Sequence, residues 1–152
     1  MGKPLIVIGS GPERRRLKRM AGPTVKILGA QPLSSLKELY ANCRALVFPG
    51  EEDFGIVPVE ALAAGRPIIA YGRGGILDTI TDGVNGILYA PQSTEGLIGA
   101  VRRFEAIEER FSPQGQKQSA ERFSRLAFRN SFSRFVDDKM AEHFARVSKA
   151  SQ

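Results

Sequence analysis

Two glutamates eight positions apart, Glu52 and Glu60, lie within Phe48-Pro49-Gly50-Glu51-Glu52-Asp53-Phe54-Gly55-Ile56-Val57-Pro58-Val59-Glu60. Ionised carboxylates accept hydrogen bonds from hydroxyl groups, so the pair suits a ligand rich in hydroxyls. The run before them, Ala45-Leu46-Val47-Phe48, has the apolar character of a buried strand. The run after them reads as a helix, with Pro58 in its first turn and Gly65 followed by Pro67 as its stop. That order places Glu52 in a loop and Glu60 in the first turn of the helix. Backbone N–H groups of Gly55, Ile56 and Val57 are then free to point outward, which favours an anion. A ligand both anionic and hydroxylated, as a nucleotide-sugar is, answers both demands.

The elements that must position these groups alternate along the chain. Strands are expected near 5–8, 25–28, 45–48, 67–70 and 86–88. Helices are expected near 12–21, 34–43, 57–64, 76–81, 94–110, 115–123 and 125–147. Short Ile- and Val-rich strands, each followed by a helix, imply an α/β fold with a parallel sheet buried on both faces. Ligands of such sheets bind at the carboxyl ends of the strands. The loops after Ile8, Leu28, Phe48 and Ala70 all fall on that edge, so motifs scattered in sequence converge in space.

The ordered series resembles the nucleotide-sugar-binding half of retaining glycosyltransferases of family four, of the GT-B type. Gly9-Ser10-Gly11-Pro12 is similar to that family's glycine turn, and Val25-Lys26-Ile27-Leu28-Gly29 to its next strand and loop. Leu36 to Cys43 resembles its helix, and Gly74-Gly75 followed by Asp78, Asp82-Gly83 and Gly86 its late loop. Asp78 stands where that family usually has Glu. The likeness runs from about residue 4 to residue 110 and implies a Rossmann-like parallel sheet with helices on both faces, the second half of a GT-B enzyme.

By that resemblance Glu52 contacts the transferred sugar as the catalytic group, and Glu60 binds the ribose hydroxyls. The amides of Phe54, Gly55, Ile56 and Val57, with Gly11, complete the donor site. No metal and no cofactor are implied. The flavour of residues 43–60 is that of bacterial mannosyltransferases of polysaccharide assembly, so GDP-mannose leads as donor, with a glycan or lipid-linked acceptor. The resemblance also implies an acceptor domain and a first strand–helix unit upstream, where a basic Arg and Lys pair holds the diphosphate. Residues 1–110 are accordingly expected to be the donor-binding domain, inactive by itself. Residues 111–152 are expected to be helices packing on it or crossing toward the acceptor domain.

The bland readings narrow the field. Gly9-Ser10-Gly11 opens like a dinucleotide fingerprint, but Arg14 stands where the third glycine is wanted and no acidic residue closes the next strand. NAD binding is not expected on those grounds. The single cysteine, Cys43, forms no internal disulfide and reads as a core filler, and the single histidine, His143, as a surface residue of the last helix. No apolar run approaches the roughly 18 residues of a membrane span, and Met1-Gly2-Lys3-Pro4 is too short for a signal peptide. A cytoplasmic protein is expected on these grounds. Gly72-Arg73-Gly74-Gly75 is either a flexible loop or a backbone wall for the donor sugar.

The net charge of +6 is unevenly spread. Residues 1–44 carry nine basic and two acidic groups, residues 45–100 two and seven, and residues 101–152 eleven and seven. An acidic donor segment suits a diphosphate only if amides hold the phosphates while carboxylates hold sugar and ribose. The cluster Arg14-Arg15-Arg16, Lys18, Arg19 reads as a solvated helix face with Leu17 and Met20 turned inward. Peripheral attachment to an anionic membrane at its inner face competes with that reading. Phe128, Phe132, Phe135, Val136, Met140, Phe144 and Val147 form one helical stripe, a face for the acceptor domain, a second copy or a membrane. A non-catalytic nucleotide-binding module and a basic membrane or nucleic-acid adaptor remain the other classes. The adaptor would leave the glutamates idle.

Overall fold

The computed structural model describes residues 1–150, with side chains described as far as Arg146. Five strands alternate with helices: β1 Leu5–Val7, β2 Val25–Ile27, β3 Leu46–Phe48, β4 Ile68–Tyr71 and β5 Gly86–Tyr89. The helices are α1 Arg14–Met20, α2 Leu33–Asn42, α3 Ile56–Ala63, α4 Ile76–Thr79, α5 Thr94–Ile107, α6 Pro113–Glu121 and α7 Arg125–Ala150. A 3₁₀ turn, Glu108–Arg110, extends α5. Ser93 caps α5 and Ser112 caps α6, each accepting from the backbone N–H three residues on, and Pro113 takes the first position of α6.

The strands are parallel but form two sheets. β3, β4 and β5 pair in that order, with Leu46 opposite Ile68 and Ile68 opposite Gly86. Alternation along β4 sends Ile68 and Ala70 to one face, against Ala61 and Leu62 of α3, Ile76 and Ala120. It sends Ile69 to the other face, against Ile87, Tyr89, Ala100, Phe104 and Phe111. This sheet has helices on both faces, as expected of an α/β fold.

β1 and β2 pair only with each other, Leu5 opposite Val25. Among the described residues, none before Gly55 is buried. Leu5 is 42% and Ile6 45% exposed, so this sheet is not buried on both faces as the apolar run suggested. Leu17 (39%) and Met20 (67%) are likewise exposed rather than turned inward. The physical reason is missing cover: α1 touches β2 alone to any extent, and no strand ladder joins β1 to β3 among the described residues. Lys3, just before β1, and Arg44, just before β3, both bind Glu105 of α5, at 2.7 and 3.4 Å. The starts of β1 and β3 thus meet at Glu105.

Candidate functional site

The acidic loop leaves β3 at Phe48 and enters α3 through Gly55, whose φ of +79° is a left-handed conformation that disfavours any side chain. No side chain caps α3, so its first-turn amides at Ile56 and Val57 have no acceptor within the helix. Glu60 is the fifth residue of α3, just past the first turn rather than within it, because α3 begins at Ile56, one residue before the expected start.

The loop is fastened to its neighbours by backbone and side-chain contacts. The N–H of Gly75 donates to the Glu52 carbonyl at 2.8 Å, and Glu52 and Gly74 form a parallel bridge. Arg73 pairs with Glu51 at 3.1 Å. Gln92, beyond β5, donates to the Pro49 carbonyl at 2.8 Å. A Cβ at Gly75 would collide with the Asp53 carbonyl, and one at Gly74, where φ is +76°, would lie 2.8 Å from the Glu52 carbonyl. The glycine segment is thus a packed wall against the acidic loop.

Glu60 accepts a hydrogen bond from the Tyr40 hydroxyl of α2 at 3.2 Å. Burial, and then the Glu60 carboxylate, push the Tyr40 phenol up to about 12, so it stays protonated. Phe54 meets Phe123 edge to face at 5.8 Å, and the Arg122 guanidinium lies over the Phe123 ring at 4.6 Å. Arg122 also donates to the carbonyls of Asp78 and Thr79 in α4. A cavity of about 440 Å³ opens between Phe54, Ile56, Val59, Glu60, Phe123 and Phe128.

The structure brings Glu52, Phe54, Gly55, Ile56, Val57 and Glu60 onto one loop and helix. Gly11 lies beyond β1 in the other sheet, and no hydrogen bond links it to the acidic loop among the described residues. Tyr40, Arg122 and Phe123 escaped the sequence reading. Tyr40 lies inside α2, and the other two sit between α6 and α7. Cys43 is half-buried, its thiol pushed up by burial, and donates to the Tyr40 carbonyl at 3.3 Å. His143 is exposed on α7, as expected. Among the described residues no cluster of three His, Cys, Asp or Glu could hold a metal, and no helix is long and apolar enough to cross a membrane.

A parallel α/β domain with an acidic loop and a helix start at the carboxyl edge of its strands is of the class that binds ligands at that edge. The chain belongs to the glycosyl transferases group 1 family, whose model matches residues 4–122. It is 35% identical over 105 residues to an uncharacterised glycosyltransferase of Methanocaldococcus jannaschii, covering 65% of this chain and 27% of that one. It is 42% identical over 85 residues to a GDP-mannose-dependent alpha-mannosyltransferase of Mycobacterium tuberculosis, covering 55% and 22%. The sucrose-phosphate synthase of Thermosynechococcus elongatus superposes with a TM-score of 0.76 at 26% identity, over 90% of this chain and 38% of that one. The fold is that of GT-B glycosyltransferases. The chain spans about a quarter or less of the length of these curated relatives.

Proposed function

We propose that this chain is the donor-binding, C-terminal domain of a retaining, metal-independent GT-B glycosyltransferase of bacterial mannosyltransferase type. Its donor is a nucleotide-sugar, with GDP-mannose favoured, and its product a glycan or lipid-linked saccharide in polysaccharide assembly. The supporting observation is the acidic loop itself. Its backbone is pinned by Gly75 and Gln92 while the α3 amides and the Glu60 carboxylate stay open to a ligand.

Glu52 orients the transferred hexose and stabilises positive character at the anomeric carbon as the diphosphate leaves. Glu60 takes the ribose hydroxyls. Amides of Phe54, Gly55, Ile56 and Val57 meet sugar hydroxyls and phosphate oxygens, and Gly11 lets the backbone approach from the β1 side. GDP-mannose is favoured because the relative from Mycobacterium tuberculosis is described as GDP-mannose-dependent. An acceptor domain supplies the rest of the enzyme, and a further parallel strand between β1 and β3 would join the two sheets. By this reading residues 1–110 are the donor-binding domain, and residues 111–152 pack on it, as α6 does, or cross toward the acceptor domain through α7. Activity then belongs to the whole enzyme, at the cytoplasmic face where a lipid-linked acceptor is met.

Calorimetry with GDP and UDP tests the reading. Glu60→Ala should weaken nucleoside diphosphate binding by roughly 1.5–3 kcal/mol, the scale of a hydrogen bond to a charged group. Equal affinity of wild type and variant would remove the ribose role.

A further inference from the structure

We propose that Tyr40 is a positioning residue for Glu60, fixing one carboxylate oxygen so that the other faces the vicinal hydroxyls of a ribose. The inference rests on the donor-site reading of Glu60 given above. Its ground is the contact itself: Tyr40 Oη donates to Glu60 Oε2 at 3.2 Å across two helices, from twenty positions away in the chain.

Three features make that contact a device for orientation. The first is the partner's charge. Among the described residues no Lys or Arg bridges Glu60, and its side-chain partner is the neutral Tyr40 hydroxyl. A neutral hydroxyl holds the side chain without neutralising it, which keeps the carboxylate ionised and leaves Oε1 free to accept from a ligand's hydroxyl groups. A guanidinium there would compete with the ligand for the same lone pairs.

The second feature is rigidity. Glutamate on an exposed helix face turns freely about three torsions, and ordering it costs entropy at the moment of binding. Tyrosine has two torsions, and the Tyr40 ring is packed against the cluster that includes Ala61 and Leu62 of α3. The third is register. Arg66, just beyond α3, donates to the carbonyl of Ala41, so the last turn of α2 is tied to the end of α3 independently of the phenol. Tyr40 is thereby held at a fixed height along α3, opposite Glu60. The phenol stays protonated over the working range, so it remains available as a donor to the carboxylate.

The test compares GDP with 2′,3′-dideoxy-GDP, which has the same base and phosphates and lacks both ribose hydroxyls. NMR titration reads affinities into the millimolar range. Wild type should prefer GDP, and Glu60→Gln should erase most of that preference. Tyr40→Phe should reduce the preference about three- to tenfold, part of the worth of a hydrogen bond to a charged group, and leave dideoxy-GDP affinity within about twofold. If Glu60→Gln erases the preference while Tyr40→Phe keeps it intact, the positioning role fails and the ribose role survives. If Tyr40→Phe weakens both ligands equally, the residue is only part of the packing. If wild type shows no preference, or Glu60→Gln keeps it, the ribose role of Glu60 fails and the positioning role with it.

Discussion

Gly75 shows how tightly a single position can be specified. Its Cα sits against the acidic loop, and any Cβ would run into the Asp53 carbonyl, a backbone atom that cannot swing aside. Gly72, three residues earlier, has ordinary room, with Leu88 Cβ 3.5 Å from an added Cβ. Gly75→Ala should therefore displace residues 52–54, cost roughly 1–3 kcal/mol as overpacking does, and weaken nucleotide binding. Gly72→Ala should do neither. Thermal unfolding and nucleotide titration of the two variants measure this, and a Gly75→Ala protein matching wild type in both would show that the wall gives way. The glycines were visible in the sequence, but a flexible loop and a close backbone approach use the same residue. Tyr40 illustrates the converse. Its spacing on α2 marks it as partly buried, while the carboxylate its hydroxyl meets lies on another helix, which no local pattern records.

Elements were the most legible level. Short apolar strands between Gly- and Pro-containing turns, and the helix opened by Ser93, carry their boundaries locally, whereas α6 starts at Pro113 behind its Ser112 cap, two residues before the expected 115. The ties between elements are less visible, and Asp82 is one of them. It accepts from Arg103 of α5 at 2.6 Å and from the Leu88 N–H of β5 at 2.8 Å. Burial pushes its carboxyl up, but those two donors outweigh burial and hold it below the ordinary carboxylate range. A depressed folded pKa contributes stability that is fully present above the unfolded value, roughly 3.9, and is lost as pH falls through the folded value. Glu105 and Glu108 act in the same direction, held low by Lys3 and by Arg44. The informative quantity is thus the difference between wild type and Asp82→Asn. That variant should be less stable at pH 7 by roughly 0.5–1 kcal/mol, since the carboxylate is 41% exposed and the pair is screened by solvent, with the gap narrowing once pH falls below roughly 3.9. Unfolding curves that stay parallel from pH 7 to pH 3 would remove Asp82 from the account.

At the scale of the whole molecule the apolar surface is divided unequally. The β3–β4–β5 sheet buries both faces, while β1–β2 and the long helix α7 leave theirs open. The stripe on α7 was legible because its spacing follows one helical face. What covers it was not, since that depends on surfaces outside the helix. Phe128, Phe132, Phe135, Val136, Met140 and Phe144 are all exposed, and the side chain of Val147 lies outside the described residues. Phe128 and Phe132 stack on each other at 5.7 Å, which hides one face of each ring and leaves the rest to water. Burying a Phe is worth roughly 1.5–3 kcal/mol, so two such rings meeting a partner already offset much of the cost of association. The chain alone should therefore self-associate through α7 as its concentration rises. Phe132→Asp combined with Phe135→Asp should return it to a monomer, because α7 packs little on the sheets and the fold does not depend on those rings. Sedimentation at rising concentration measures the outcome, with circular dichroism checking that both proteins are folded. A wild type that stays monomeric, or a doubly substituted chain that associates as strongly, would show that the stripe does not draw copies together.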